Sequence, residues 1–237
     1  MDEQFSRTSL IYGEEAIEKL NKSHVAIFGI GGVGGYVAEG LARCGVANFT
    51  LIDSDVVSIT NVNRQIVATM ATLGKYKVDI MKERILSINP KANIIVKKIF
   101  FSEETIDEFD FHQFDYVVDA IDTVKSKIAL IKKCDECHIP IISSMGAGNK
   151  VEPTRFMVAD INQTEMDPLA KVIRRELRKC GIKHLKVVYS KEKPTKPQES
   201  ISDEHKREIP GSSVFVVASC GLLIASEVIK DLINYED

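Results

Sequence analysis

The feature that most constrains the fold is a glycine-rich turn between an apolar run and a helical pattern. The turn reads Gly29-Ile-Gly31-Gly-Val-Gly34, and the apolar residues 23–29 are typical of a short buried strand. Small and apolar side chains then recur at helical spacing over residues 33–44. Glycines at such a turn let backbone N–H groups approach a phosphate at the positive end of the helix. The pattern predicts a nucleotide-binding Rossmann-type unit, with Gly29, Gly31 and Gly34 in the ligand site.

Strand and helix patterns alternate through the next hundred residues. We expect strands at 48–53, 93–98, 116–120, 139–144 and 156–160, with helices at 76–87 and 124–138. This alternation indicates an α/β protein with a Rossmann-like, mostly parallel sheet and helices on both faces. The chain is also long enough to bury one sizeable core.

The character of the chain changes near residue 160. Asp167-Pro168 predicts the start of a helix, and residues 171–198 contain ten Lys or Arg against two Glu. Five cations share one face of that helix: Lys171, Arg174, Arg175, Arg178 and Lys179. Such a face indicates either an anionic partner or a solvated helix surface. We therefore divide the chain into an adenylation domain (1–160), a partly flexible basic insertion (161–210) and a segment that completes the core (211–237).

The bulk composition predicts a cytoplasmic protein. The N-terminal region has no signal-peptide pattern, and the longest apolar stretch, residues 214–225, is too short to span a membrane. We expect this stretch to be a buried strand-to-helix segment. Five cysteines are an odd number that fits a reducing compartment. Cys180 lies on the apolar face of the basic helix, so we expect it to be buried rather than nucleophilic.

Polar residues after the predicted strands indicate which nucleotide binds. Asp53 ends the second strand, 24 residues beyond Gly29, where an acid accepts hydrogen bonds from ribose hydroxyls. That feature alone fits NAD, FAD and ATP equally. A dense polar set follows: Asp55, Asn61, Asn63, Arg64, Gln65 and Lys75. A triphosphate needs such cations, and usually a divalent ion, to neutralise its charge. Asp119 and Asp122 follow a later strand, where a carboxylate can hold Mg²⁺. The set favours ATP with Mg²⁺.

These motifs, taken as an ordered set, resemble the ubiquitin-activating-type superfamily with its ThiF, MoeB and HesA adenylyltransferases. The resemblance rests on the glycine turn, Asp53-Ser-Asp55, residues 61–65 (Asn-Val-Asn-Arg-Gln), Lys75 and Asp119-Ala-Ile-Asp122. Residues 5–13, the block 146–148 (Gly-Ala-Gly) and residues 221–227 are similar to the branch that cyclises threonylcarbamoyladenosine in tRNA.

The resemblance implies a reaction and a role for each matched residue. Members of that branch adenylate the threonyl carboxylate of threonylcarbamoyladenosine in tRNA, and an intramolecular attack then closes a ring. By this resemblance Asp53 holds the ribose, whereas Asn61, Arg64 and Lys75 hold the phosphates. Asp122 would bind Mg²⁺, and Arg7 would reach the nucleotide of the other subunit in a homodimer. Catalytic roles are thus expected for Arg7, Arg64, Lys75 and Asp122.

Two other functions remain open at this point. The first is an adenylyltransferase that activates the C-terminus of a ubiquitin-like sulfur-carrier protein, with a sulfur-transfer protein as a candidate partner. Such activators usually carry two zinc-binding C-x-x-C pairs late in the chain, and the sequence lacks them. The second is an NAD-binding oxidoreductase or a nucleotide-sensing module. The sequence does not specify the tRNA species.

Overall fold

The computed structural model describes residues 3–199 and 210–235, and it contains a seven-stranded sheet. The strands are β1 His24–Phe28, β2 Asn48–Ile52, β3 Asn93–Lys97, β4 Tyr116–Asp119, β5 Ile141–Ser144, β6 Phe156–Asp160 and β7 Lys186–Ser190. Their order across the sheet is β3-β2-β1-β4-β5-β7-β6. All neighbouring strands are parallel except β6, which pairs antiparallel with β7 at one edge. The predicted α/β class with a mostly parallel sheet is confirmed.

Helices cover both faces of the sheet. They are α1 Ser6–Tyr12, α2 Glu14–Lys22, α3 Gly34–Arg43, α4 Lys77–Ile88, α5 Val124–Cys137, α6 Pro168–Lys179 and α7 Val214–Ile233. Side chains alternate along β1, as the pleat requires: Val25 and Ile27 pack with α3, α4 and α7, whereas Ala26 and Phe28 pack with α5. A third cluster joins α5 and α6 to β5 and β7. The core therefore lies in two layers, one on each face of the sheet.

Strand β7 was not assigned from the sequence, and it ties the basic segment into the sheet. Val187 and Val188 are both fully buried, so β7 is covered on both faces. Lysines before and after this short run obscured its apolar character. Because β7 pairs with β5, part of the segment 161–210 belongs to the sheet. The division of the chain at residue 160 stays a prediction.

The C-terminal apolar segment is one long helix rather than a strand followed by a helix. Along α7, Val216, Cys220 and Ile224 are fully buried at intervals of four residues, which places them on one side of the helix. Glycines let α7 approach α3 closely: a Cβ on Gly221 would lie 2.5 Å from the carbonyl oxygen of Val33. No helix in residues 3–199 or 210–235 is long and apolar enough to cross a membrane.

One expectation about the basic segment changes with the structure, and another extends beyond the described residues. Cys180 is exposed rather than buried, because it is the C-cap of α6 and lies beyond the turn that carries the apolar face. Part of the insertion that is expected to be partly flexible, residues 200–209, lies outside the described residues.

Candidate functional site

A cavity of about 490 Å³ opens at the carboxyl ends of the parallel strands. The ends of β1, β2 and β5 contribute Phe28, Ile52 and Ser144 to its wall. The cavity also lies where the strand order reverses, between β1 and β4, which is the usual ligand position in an open parallel sheet.

The glycine turn forms the part of the wall between β1 and α3. Gly29 has a φ of 91°, and a Cβ there would lie 2.6 Å from the carbonyl oxygen of Ala120. A Cβ on Gly34 would collide with the carbonyl oxygen of Gly29, so Gly34 closes the turn from behind and does not line the cavity. A Cβ on Gly31 would meet nothing closer than 4.0 Å, which leaves open space where a ligand can approach the backbone.

Asp53 is held rigidly at the end of β2. Its Oδ2 accepts the Ile30 N–H at 2.7 Å and its Oδ1 accepts the Asp55 N–H at 2.8 Å. Burial raises the pKa of Asp53, while Lys77 and the two backbone donors act in the opposite direction. The carboxylate thus faces the cavity at the position expected for a ribose acceptor.

Lys77 enters the cavity, whereas Lys75 does not. Lys77 is the first residue of α4, and its buried Nζ lies 2.7 Å from Oδ2 of Asp55, which also lines the cavity. Lys75 is exposed in the preceding loop and is absent from the cavity wall. The choice of Lys75 as a site residue is corrected to Lys77, because the helix start turns the later lysine inward. Its spacing from the buried Met81 and Ile85 would have indicated this orientation.

The segment between β2 and α4 supplies two more polar side chains to the cavity, Arg64 and Gln65. Nη1 of Arg64 donates to the Thr60 carbonyl oxygen at 2.8 Å, which supports the guanidinium from behind. Gln65 is buried, and its Oε1 has no hydrogen-bond partner among the described residues. A buried amide oxygen without a partner costs free energy, which marks Gln65 as an incompletely satisfied side chain of the cavity wall.

The two asparagines of this segment lie outside the cavity wall and act on the loop. Oδ1 of Asn61 accepts the Ser58 N–H at 3.0 Å in a capping box. Nδ2 of Asn63 donates to the Ser212 carbonyl oxygen at 2.9 Å. These bonds hold the loop that carries Arg64 and Gln65. The structure therefore places Asn61 and Asn63 as loop-shaping residues rather than cavity-lining ones.

Asp119 is in the protein interior rather than in the ligand site. It is fully buried, and its Oδ2 lies 2.8 Å from Nζ of Lys127 and 2.5 Å from Oγ of Ser143. The carboxylate ends β4 on the side covered by α5, so its charge is satisfied by that helix. The expectation that Asp119 contacts the ligand is therefore wrong. Charge alone does not reveal from the sequence that Lys127 has a buried partner.

Asp122 is exposed at the cavity, and among the described residues its side-chain partner is Thr123 Oγ1 alone, at 3.2 Å. Within residues 3–199 and 210–235, no group of three or more His, Cys, Asp or Glu residues could hold a metal ion. One carboxylate together with substrate phosphates is nevertheless a usual Mg²⁺ environment. Asp122 fits a magnesium ion that arrives with a nucleotide.

The wall opposite the glycine turn comes from residues 144–148 and from Leu169 near the start of α6. Lys150 Nζ lies 2.8 Å from Asp167 Oδ2 and also donates to the Gly146 carbonyl oxygen, and both side chains of the pair are buried. Oδ1 of Asp167 accepts the Ala170 N–H and so caps α6. This pair, which the sequence did not reveal, fixes α6 against the cavity wall.

The basic face of α6 is smaller than the sequence predicted. Arg174 turns inward, where Nη1 donates to the carbonyl oxygen of Thr164 at 2.8 Å and to its Oγ1 at 2.6 Å. Lys171, Arg175, Arg178 and Lys179 are exposed. The helix therefore presents four cations rather than five, and it begins at the cavity.

Arg7 lies on α1, is exposed, and takes no part in the cavity of its own chain. Leu10 and Ile11 on the same helix expose 88% and 71% of their surface. This position leaves Arg7 available to act in another subunit. It rules out a contact between Arg7 and the cavity of its own chain.

Residues 3–237 match the ThiF family. The chain therefore belongs to the ThiF family.

Two similar proteins match nearly the whole chain. The chain is 47% identical over 241 residues to a tRNA threonylcarbamoyladenosine dehydratase of Bacillus subtilis (strain 168), which covers 98% of this chain and 95% of the relative. The structure superposes on the tRNA N6-threonylcarbamoyladenosine dehydratase of Escherichia coli in complex with ATP with a TM-score of 0.90 and 34% identity. That match covers 98% of this chain and 94% of the other. The complex of the same protein with AMP gives a TM-score of 0.89 at 36% identity, with the same coverage.

Proposed function

We propose that this protein uses ATP to adenylate the threonyl carboxylate of threonylcarbamoyladenosine in tRNA and promotes its cyclisation. The observation that carries the adenylation step is the meeting of Arg64 and Lys77 with the glycine turn in one cavity. Two cations beside a phosphate-binding turn suit a triphosphate and its departing pyrophosphate. The names of the similar proteins support the tRNA acceptor.

Each lining residue has a role in this proposal. Asp53 accepts hydrogen bonds from the ribose hydroxyls, and the backbone N–H groups at Gly31 donate to phosphate oxygens. Arg64 and Lys77 stabilise negative charge that grows as pyrophosphate leaves. Gln65, which lines the same wall, would contact the ligand through its side-chain amide. Mg²⁺, held by Asp122 and the phosphates, would neutralise further charge.

The reaction has two steps. The threonyl carboxylate forms a bond to the α-phosphorus of ATP, and pyrophosphate leaves. A nucleophile in the same modified nucleoside then attacks the activated carbonyl carbon, and AMP leaves with the bonding electrons. Because the attack is intramolecular, no enzyme thioester is needed. Burial raises the pKa of Cys220 to about 11 and of Cys134 still further, which keeps both thiols protonated near neutral pH.

The assembly and location are also part of the proposal. We propose a cytoplasmic homodimer in which Arg7 of one subunit completes the nucleotide site of the other. The side chains of Leu10 and Ile11, which are apolar and exposed beside Arg7, support a subunit interface at this surface. A sulfur-transfer protein as partner stays a prediction, which co-purification with tagged protein would test.

The decisive experiment is mass spectrometry of tRNA nucleosides after incubation with the protein, ATP and Mg²⁺. We expect threonylcarbamoyladenosine to lose the mass of one water, with one AMP formed per nucleoside. Isotope exchange between pyrophosphate and ATP distinguishes the other functions. Exchange that requires a small carrier protein and ignores modified tRNA would indicate a carrier-activating enzyme. Binding of NADH without exchange would indicate a nicotinamide-dependent protein.

A further inference from the structure

A buried lysine lies directly behind the turn that brings Asp122 to the cavity. Nζ of Lys127 lies 2.8 Å from Oδ2 of Asp119, and both side chains are fully buried. Oγ of Ser143 contacts both groups, at 3.1 Å from Nζ and 2.5 Å from Oδ2. Because the desolvation of two charges offsets their attraction, a buried ion pair is weak evidence for a purely stabilising role. The hydrogen bonds around this pair indicate a second role.

The turn between β4 and α5 is held at both ends. At its start, Oδ1 of Asp119 accepts the Ile121 N–H at 3.2 Å. At its end, the Lys127 N–H donates to the Thr123 carbonyl oxygen at 3.0 Å in the first turn of the helix. Asp122 lies between these two bonds, and its Oδ1 accepts a hydrogen bond from Oγ1 of Thr123. The backbone that directs the Asp122 carboxylate into the cavity is therefore fixed by the residues of the buried pair.

The ammonium group of Lys127 also joins two neighbouring strand ends. Its Nζ donates to the Ser144 carbonyl oxygen at 3.0 Å, and Ser144 lines the cavity at the end of β5. An ammonium group has three N–H donors, and the oxygens of Asp119, Ser143 and Ser144 accept them. With every donor used, this side chain holds the end of β4 and the end of β5 in one fixed relation.

We propose that Lys127 is a positioning residue that acts through Asp119 to orient the Asp122 carboxylate toward a nucleotide-bound Mg²⁺. This role rests on the proposed use of ATP with Mg²⁺. Groups that orient a metal ligand control metal affinity without touching the ion, and their loss typically weakens it by about 10- to 100-fold. Lys127 does not line the cavity, so its effect on the ion passes through Asp122.

The test measures the effect of Mg²⁺ on ATP binding in the absence of tRNA, so that it does not depend on the acceptor. Calorimetric titrations give the Kd for ATP without Mg²⁺ and with saturating Mg²⁺. By linkage, the ratio of these two constants reports how tightly the protein–nucleotide complex holds the ion. Titrations with AMP in the absence of metal report on the rest of the cavity.

The variants are Lys127→Met, Ser143→Ala, Asp122→Ala and the double variant Lys127→Met with Asp122→Ala. Tyr116→Phe is the matched control, because it removes a buried hydrogen bond to Asp231 at the opposite end of β4. Thermal melting checks that each variant is folded. Ser143→Ala leaves the ion pair in place and decides the question if Lys127→Met does not fold.

We expect Lys127→Met to lower the ratio by about 10- to 100-fold while AMP affinity stays near wild type. Ser143→Ala should give a smaller loss in the same direction, and Tyr116→Phe should keep the wild-type ratio. Because Lys127 acts through Asp122, the double variant should show the same ratio as Asp122→Ala alone.

An unchanged ratio in folded Lys127→Met overturns the proposal, and so does a further loss in the double variant beyond Asp122→Ala. A parallel fall in AMP affinity also overturns it, since that result assigns Lys127 to the general shape of the cavity. An unchanged ratio in Asp122→Ala removes the metal ligand on which the proposal depends. A wild-type protein that shows the Mg²⁺ effect but leaves modified tRNA unchanged would contradict the proposed acceptor alone.

Discussion

Nζ of Lys77 lies 2.7 Å from Oδ2 of Asp55 at the cavity, and this ion pair joins the start of α4 to the segment after β2. The side chain of Lys77 is 7% exposed and that of Asp55 is 64% exposed, so the lysine is the shielded member of the pair. A shielded cation beside the glycine turn can stabilise charge on a polyphosphate more strongly than a solvated one.

The first prediction separates the two lysines of this region. Lys77→Ala should reduce the rate of pyrophosphate–ATP exchange by on the order of 10²–10³, the usual loss for one such donor. Lys75→Ala is the matched control, since Lys75 is exposed and two residues away, and it should keep near-normal exchange. Equal losses in both variants, or a loss only in Lys75→Ala, would contradict the placement of Lys77 in the catalytic site.

The second prediction tests a site shared between subunits. Arg7→Ala and Asp122→Ala should each abolish most turnover, because one removes the cation from the partner site and the other removes the proposed Mg²⁺ ligand. Mixed dimers contain one site with both residues intact, so exchange of subunits should restore part of the activity. Size-exclusion chromatography must first show a dimer of about twice the 26.4 kDa chain mass. No rescue in fully exchanged mixtures would place Arg7 outside the neighbouring site.

The third prediction concerns the buried ion pair of Lys127 with Asp119. Lys127→Met leaves the carboxylate buried without its cation, and we expect about 3–5 kcal/mol less free energy of unfolding. Urea denaturation measures this loss. Lys125→Met is the control on the same helix, because Lys125 is exposed and should change stability by less than about 0.5 kcal/mol. A small effect of Lys127→Met on the free energy of unfolding would mean that the ion pair contributes little to stability.

The fourth prediction concerns tRNA docking on α6. Lys171→Ala with Arg178→Ala should raise the KM for tRNA and reduce the slope of log affinity against log salt concentration by about two units, one per phosphate contact. AMP affinity and thermal stability should stay near wild type, because both side chains are exposed. Filter binding at several salt concentrations gives the slope.

Arg174→Ala serves as the contrasting variant for this helix. Its guanidinium holds the Thr164 segment, so its removal should lower the melting temperature. The prediction is contradicted if wild type and the Lys171/Arg178 double variant show the same salt slope and the same tRNA affinity. In that case the exposed face of α6 is a solvated surface that does not bind tRNA.

The sequence by itself determined the α/β class, because hydrophobic periodicity and the glycine turn are local properties. β6 was predicted with the bounds that it has, and the turn residues Gly29 and Gly31 line the cavity as expected. Arg64, Gln65, Asp53 and Asp122 also meet there, since each follows a strand whose end reaches the same edge of the sheet. Their chemical roles stay predictions.

Only the tertiary structure decided which charged side chains face the cavity. Lys75 and Lys77 differ by two positions, and the start of α4 turns the second inward. Asp119 and Asp122 differ by three, yet the first is buried against Lys127 and the second faces the cavity. A local pattern shows that a residue is charged, but its partner comes from another element. Burial and pairing therefore depend on how helices pack over the sheet, which the spacing of residues along the chain does not specify.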